Sequence, residues 1–393
     1  MNSRIVYNCP GERGGPVSRA VHLGRLVQGY PSCHGCPHED DHAGLSESLL
    51  HMIHQRRNRS TEQILPGTAA DVWQRLVQGD TLILDAVSQI DTALMRQLGM
   101  AVGSWVRGQG DTARHSARDV PIVVLGGDGR PIVWPHLAAL DEGLRLAGCD
   151  VLDTGAGSAA YLRYVAEQEG VEAAVLVGQP GVSPFEIGIS IWTQSGGSDE
   201  GPMQPVETER LIGGPLRLFA GGSGMLKRQT RRSGSNRSID LRETYLERFM
   251  PYYHALRPIR FALHSTCSMI VQQLEILLST TAIEMVPCET IESLIAAIKD
   301  NRLDFAASVT DNGRRLQLFD SGGNTVSVTD FERLVETIFS RPSASSGMVE
   351  TDRGTDDLFE KGAVQSDALI RLTQLFVVLS RSDDAIGEVI AGQ

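Results

Sequence analysis

Two thiols and two imidazoles sit within six residues of each other near the start of the chain. The run Cys33-His34-Gly35-Cys36-Pro37-His38 holds a C-x-x-C pair, with Cys9 upstream and His42 downstream. Thiolates at that spacing can bite one Zn²⁺, with Cys9 and a histidine such as His38 completing four ligands. The same pair can act as a reactive dithiol or stay unliganded, and a labile disulfide is not expected to persist in a reducing cytoplasm. A second pattern is the turn in PIVVLGGDGRP at 121–131, which presents Asp128 and Arg130 after an apolar run. Such a pair can fasten its own turn as an ion pair, or hold an anion at the N-terminus of the helix that follows. A third is the basic run Lys227, Arg228, Arg231, Arg232 and Arg237. It reads either as a solvated loop or as a contact for an acidic partner or a nucleic-acid backbone, the last weakened because no aromatics interleave it to stack bases. Cys149, Cys267 and Cys288 lie singly among apolar residues and read as small buried hydrophobes.

The elements around these residues follow from periodicity. An amphipathic stretch over 45–57 ends in arginines, as a helix C-terminus does. A stronger helix is expected over 91–107, with Asp91 or Thr92 as its cap. A buried strand at 122–125, a helix ending near Gly148, a strand at 149–153, a helix and a strand at 173–178 then alternate. That order predicts a doubly wound sheet with parallel strands. Residues 220–238 are Gly/Ser-rich and basic and read as a linker. The plan repeats beyond them: a helix near 241–249, strands at 260–265, 282–287 and 304–309 with helices between, and the strand RLQLFD. A polar stretch at 341–358 leads to a closing apolar helix.

Composition narrows the function classes. The 393 residues carry a formal net charge of −12. So acidic a chain repels nucleic acid and anionic membrane at long range, and neither is expected as a partner. No apolar run reaches the length of a membrane span, and no secretory signal is apparent, so a cytoplasmic location is expected.

The segment PIVVLGGDGRPIVWPHLAALDEGLRLAGCDVLDTG resembles the first domain of the α-D-phosphohexomutases, the phosphomannomutase/phosphoglucomutase group. Their strand, G-x-D-x-R-P turn and G-L-x-x-x-G helix end are matched by Gly126, Asp128, Arg130 and Pro131, then by Gly143, Leu144 and Gly148. Asp153 and Gly155 match the D-x-G at the end of the next strand. IDLRETYLERF is similar to the start of the second domain, through Asp240 and Tyr245. DFAASVTDNGRRLQLFDSGGNTVSV is similar to the second-domain loop that holds a metal, and the closing helix to the last helix of the third domain. The resemblance covers about residues 60–393 and marks the chain as a truncated, degenerate member. It implies an α/β fold of two consecutive α/β/α domains with doubly wound mixed sheets, a remnant third domain and a Cys/His-containing N-terminal extension. The expected division is 1–58 for the extension, 59–219 for domain I, 220–238 for the linker, 239–340 for domain II and 341–393 for the remnant. No counterpart of the family's fourth domain is found.

The same resemblance implies where the family's chemistry would fall. Its phosphoserine position is Pro180, which has no hydroxyl, with Gly181 at the following histidine and Ser190 at a lysine. Ser183 is a displaced alternative, but a nucleophile shifted by three residues is badly placed. The three carboxylates of the metal loop correspond to Thr310, Asn312 and Arg314, followed by Arg315. No metal is expected there, because Arg314 puts a cation where the metal would sit and Asp311, one residue out of phase, would point elsewhere. The family's N-terminal F-G-T-x-G-x-R-G motif has a weak echo at Gly67 and Thr68, with Val72 at its arginine, and no sugar-selecting E-x-S follows near Glu360. The expectation is a non-catalytic protein of carbohydrate-metabolism ancestry with a binding or regulatory role. Its expected partner is a sugar phosphate or another protein, with Asp128, Arg130, Arg314 and Arg315 as the anion-binding residues. No cofactor is expected at the mutase site; Zn²⁺ is the one proposed for the N-terminal cluster. The alternative is an active intramolecular phosphotransferase on hexose phosphates with relocated groups.

Overall fold

The computed structural model describes residues 6–7, 17–28, 38, 40–43, 45–46, 49–50, 76–85, 91–110, 120–181, 183–194, 203–220, 233–300, 303–339 and 367–381. A short hairpin of β1 (Val6–Tyr7) and β2 (Val17–Ser18) precedes α1 (Arg19–Gln28). Most of the helix expected over 45–57 lies outside the described residues, as do 341–358.

The first α/β unit begins with the hairpin β3 (Val77–Gln78) and β4 (Thr81–Asp85). The Asp91 carboxylate then caps α2 (Thr92–Gly110), accepting from the Leu94 amide at 2.6 Å. Next come β5 (Ile122–Gly127), α3 (Trp134–Leu146), β6 (Asp150–Ala156), α4 (Ala159–Glu169) and β7 (Ala173–Gly178). The antiparallel β8 (Glu186–Gln194) and β9 (Met203–Pro205) follow. After them run α5 (Thr208–Leu211), a π-helical turn over Ile212–Leu216, and α6 (Arg217–Ala220). The main path of the sheet is β10-β6-β5-β7-β8-β4-β3, with β9 joined to β8. β5, β6 and β7 are parallel, whereas β8 and β4 run antiparallel to their neighbours. β5 and β7 are buried on both faces, which is why they read as unbroken apolar runs. Val123 and Leu125 face the core under α2 and α3, and Val124 faces that of α4. α2 and α3 cross closely because glycines meet: a methyl at Gly143 would lie 2.1 Å from the Arg96 carbonyl oxygen. The edge strand β10 (Asn236–Ser238) falls inside the stretch read as a linker. Its three residues are all exposed, so no apolar period marks it.

α7 (Arg242–Glu247) and a 3₁₀ turn at Met250–Tyr253 open the second unit. It contains β11 (Arg260–Ser265), α8 (Ser268–Leu278), β12 (Glu284–Cys288), α9 (Ile291–Asp300), β13 (Phe305–Thr310), β14 (Arg315–Asp320), β15 (Thr325–Val326) and α10 (Val328–Phe339). The sheet order is β12-β11-β13-β14-β15, parallel through β13 and antiparallel after it. α9 covers Ala262 and Ala306 on one face. On the other, α8 and α11 (Ala368–Ser380) cover Phe261 and Phe305. Phe376 of α11 meets those two rings at 5.2 and 6.1 Å. α11 is buried from Ala368 to Leu379 and capped by Asp367, which accepts from the Leu369 amide at 2.8 Å and from the Tyr245 hydroxyl at 3.0 Å. Burial pushes that carboxyl up, only partly offset by these hydrogen bonds.

Cys149 and Cys267 are buried as expected, and Cys288 is half-buried. Burial pushes the first two thiols up to about 12 and about 11, so neither is an activated nucleophile. Among the described residues, no helix is long and apolar enough to cross a membrane.

Candidate functional site

Two loops approach each other where β7 and β13 end. Beyond Gly178 the chain passes through Gln179 and Pro180 before returning in β8. Pro180 folds over that strand: a methyl at Gly188 would lie 2.9 Å from Pro180 Cβ. Ser183 contributes its carbonyl to the Glu186 amide at 3.4 Å. Among the described residues no base is hydrogen-bonded to its hydroxyl, and an unassisted serine is a weak nucleophile. Arg130 grips this loop. Its Nε donates to Asp128 Oδ2 at 2.5 Å, and its two terminal nitrogens donate to the carbonyls of Pro184 and Glu186 at 2.7 and 3.1 Å. The Asp128 side chain is 1% exposed. All three guanidinium nitrogens are thus engaged by the protein, and the Asp128–Arg130 pair ties its own turn to the loop between β7 and β8.

The loop after β13 is held by Arg314. One terminal nitrogen donates to Asp80 Oδ2 at 2.7 Å; the other donates to Thr81 Oγ1 and Asp311 Oδ1, both at 2.8 Å. Thr81 in turn shares a hydrogen bond with Ser190 Oγ at 2.9 Å, and the guanidinium lies 5.7 Å from the Trp192 ring centre. Burial would push this guanidinium down, but Asp311 and Asp80 outweigh it and hold it above its ordinary range. Asp311 therefore does not point away, as its phase in the sequence suggests. Asp311 and Asn312 both adopt left-handed backbone, φ 54° and 55°, and this twist turns the Asp311 carboxylate back onto Arg314. The Asn312 side chain lies on the end of β7, where a methyl at Gly178 would stand 2.2 Å from its Oδ1. The two loops are in direct contact, and side chains fill the space between them.

Beside Arg314 lies an open hollow of about 650 Å³, lined in part by Thr310, Arg314, Arg315, Gln317, Glu332 and Arg371. The Arg315 side chain is 79% exposed and reaches Asp311 only at 3.4 Å. Arg371 comes from α11 and pairs with Glu332 at 4.0 Å; burial lowers its pKa, and Glu332 partly offsets that. Ser308, at the same hollow, shares a 3.1 Å hydrogen bond with His264 Nδ1.

No protein-family model and no curated protein sequence matches the chain. Solved structures do. A phosphoglucomutase/phosphomannomutase family protein from Burkholderia thailandensis superposes with a TM-score of 0.61 at 18% identity, over 81% of this chain and 79% of that one. A structure described as a phosphomannomutase of Thermus thermophilus gives 0.57 at 13% identity, over 84% and 83%. The Paramecium phosphoglucomutase parafusin, in its open form, gives 0.50 at 12% identity, over 75% and 70%. This chain has a phosphohexomutase-like fold.

Within that fold, the position the resemblance assigns to a metal does not suit one. Thr310, Asn312 and Arg314 bring no carboxylate, and the two carboxylates nearby, Asp80 and Asp311, are engaged by a guanidinium. Hard cations take cages of oxygen ligands with carboxylates among them. Asp80 was not legible as a site residue. It sits in the turn between β3 and β4, 234 positions from Arg314. Of the N-terminal phosphohexomutase motif, Gly67, Thr68 and Val72 lie outside the described residues. So do Cys9, Cys33 and Cys36. His38 is described, and its ring meets that of His22 edge-on at 6.3 Å. His22 was not singled out in the sequence because it lies in α1 at an ordinary helical position. Among the described residues, no group of three His, Cys, Asp or Glu side chains is set to hold a metal.

Proposed function

We propose that this chain is a cytoplasmic protein of phosphohexomutase ancestry that does not turn over hexose phosphates, and that it serves as a binding or regulatory protein whose ligand is a sugar phosphate. The observation that carries the reading is Arg314, whose guanidinium is clasped by Asp80 and Asp311 at the position of the family's metal. Phosphoryl transfer depends on charge stabilisation at that point. Pro180, folded onto Gly188, supports the same reading. The hollow beside Arg314 supports ligand binding: Arg314 itself is taken by Asp80 and Asp311, but Arg315 and Arg371 line the hollow with one glutamate, and arginine forks suit phosphate oxygens. Arg315 is the guanidinium most open to such a ligand. In the N-terminal extension we propose one Zn²⁺ held by Cys9, Cys33, Cys36 and His38.

The test supplies glucose 1-phosphate or mannose 1-phosphate with Mg²⁺ and a hexose bisphosphate primer. Product should not form above the protein-free rate, while calorimetry should detect binding of the same sugar phosphate, weakened at least tenfold in Arg315→Ala. Turnover that disappears in Ser183→Ala would instead establish an active phosphotransferase with relocated groups. For the extension, metal analysis after chelator-free purification should find zinc that is lost in Cys33→Ser and Cys36→Ser; zinc-free protein ends that part of the proposal.

A further inference from the structure

The last turns of α2 lie at the opposite end of the first sheet from the two loops. Gly103 packs against Ala147 and Cys149, just before β6 begins, whereas one loop follows the far end of β7 and the other, after β13, lays Asn312 on Gly178 there. Over this end of α2 runs the segment α5–π turn–α6. Pro215 lacks the N–H that an α-helix would need there, and the turn widens to π spacing. The widened turn presses a glycine onto an indole: a methyl at Gly214 would lie 2.5 Å from Trp105 Nε1. A hollow of about 510 Å³ opens beside this contact, lined by Ser104, Trp105, Arg210, Gly213, Gly214 and Arg217 among others.

The chemistry of this lining is one-sided. No lining residue is acidic. Arg210 and Arg217 are exposed, and among the described residues neither forms an ion pair. The Arg210 guanidinium lies 5.9 Å from the Trp105 ring centre. No acceptor among the described residues meets the indole N–H. The Ser104 hydroxyl donates to the Met100 carbonyl at 2.6 Å and keeps its lone pairs for a further donor. On a chain of net charge −12, two guanidiniums without carboxylate partners among the described residues line one hollow. Guanidinium forks match the oxygens of a phosphate group. The volume lies in the range of small-molecule sites, and the indole edge and glycine backbone offer an apolar wall for the rest of a ligand.

We propose that this hollow binds a small phosphate monoester with a ring-shaped body, through Arg210, Arg217 and the Trp105 N–H. The site is separate from the loops around Arg314 and does not depend on how those are read. The test titrates the full-length protein with adenosine 5′-monophosphate, inorganic phosphate and a hexaglutamate peptide, followed by calorimetry and tryptophan fluorescence. Adenosine monophosphate should bind saturably, and more tightly than inorganic phosphate. Arg210→Gln with Arg217→Gln should weaken it at least tenfold without changing the melting temperature or circular dichroism, because both side chains are exposed. Trp105→Phe, which keeps a ring but removes the N–H, should weaken it several-fold and abolish the fluorescence response. The site is overturned by absence of saturable phosphate binding, by equal affinity in the double glutamine variant, or by hexaglutamate binding more tightly than adenosine monophosphate.

Discussion

The loop after β7 and the loop after β13 occupy equivalent places in two α/β units, each leading from a parallel strand into an antiparallel one, and one arginine grips each. Arg130 works at home. Its partners are Asp128 in its own turn and two backbone carbonyls of the neighbouring β7–β8 loop. Arg314 reaches across. It joins Asp311 of its own turn to Asp80 and Thr81 at the edge of the other sheet. The first arginine shapes a loop; the second fixes how the two sheets sit against each other. A motion that draws the β3–β4 turn away from the loop after β13 must part Arg314 from Asp80.

The contrast can be broken most directly at Arg314. Arg314→Met leaves Asp80 without the guanidinium that clasps it and Asp311 with only the exposed Arg315, and should cost about 3 kcal/mol in urea unfolding. Arg314→Lys restores the charge but not the fork, and should recover only part of that loss. A cost below about 1 kcal/mol for Arg314→Met would show that Arg314 does not hold the two sheets together. Arg130→Met should cost less, about 2 kcal/mol, and hydrogen exchange should quicken only around residues 178–186. Faster exchange throughout the second unit would erase the distinction between the two arginines. Gly178→Ala probes the contact between the loops and should cost about 1–2 kcal/mol. Asn312→Gly should relieve most of that cost in the same chain, since it removes the clashing oxygen and suits a φ of 55°.

How much of this was legible depended on what each residue touches. β5 and β7 stood out because both faces are buried and the apolar run is unbroken, and β11 and β13 because only His264 and Ser308 interrupt a buried apolar run. β10 did not, because its three side chains are exposed. The fold class and the residue types at the two loops followed from the order of segments. The direction of Asp311 did not, because it rests on left-handed backbone at two residues that are not glycine. Nor did Asp80, whose partnership with Arg314 exists only once the sheets have met. The Arg210–Trp105 hollow was hidden for a similar reason: it needs a π turn to lay Gly214 across a helix more than a hundred positions upstream.

α4 is buried from Ala159 to Leu162 and again from Tyr164 to Ala166. Its Leu162 faces the first sheet at Gly126, while Tyr161 and Tyr164 meet Tyr245 of the second unit at 5.7 and 5.3 Å. Neither half can shed this helix without wetting its own interior. Heat should therefore melt the two units in a single calorimetric event, and severing the chain between them should yield two insoluble pieces rather than two smaller proteins. Residues on the loops are free to change identity over time, but a polar side chain at Val165 would be felt on both sides at once.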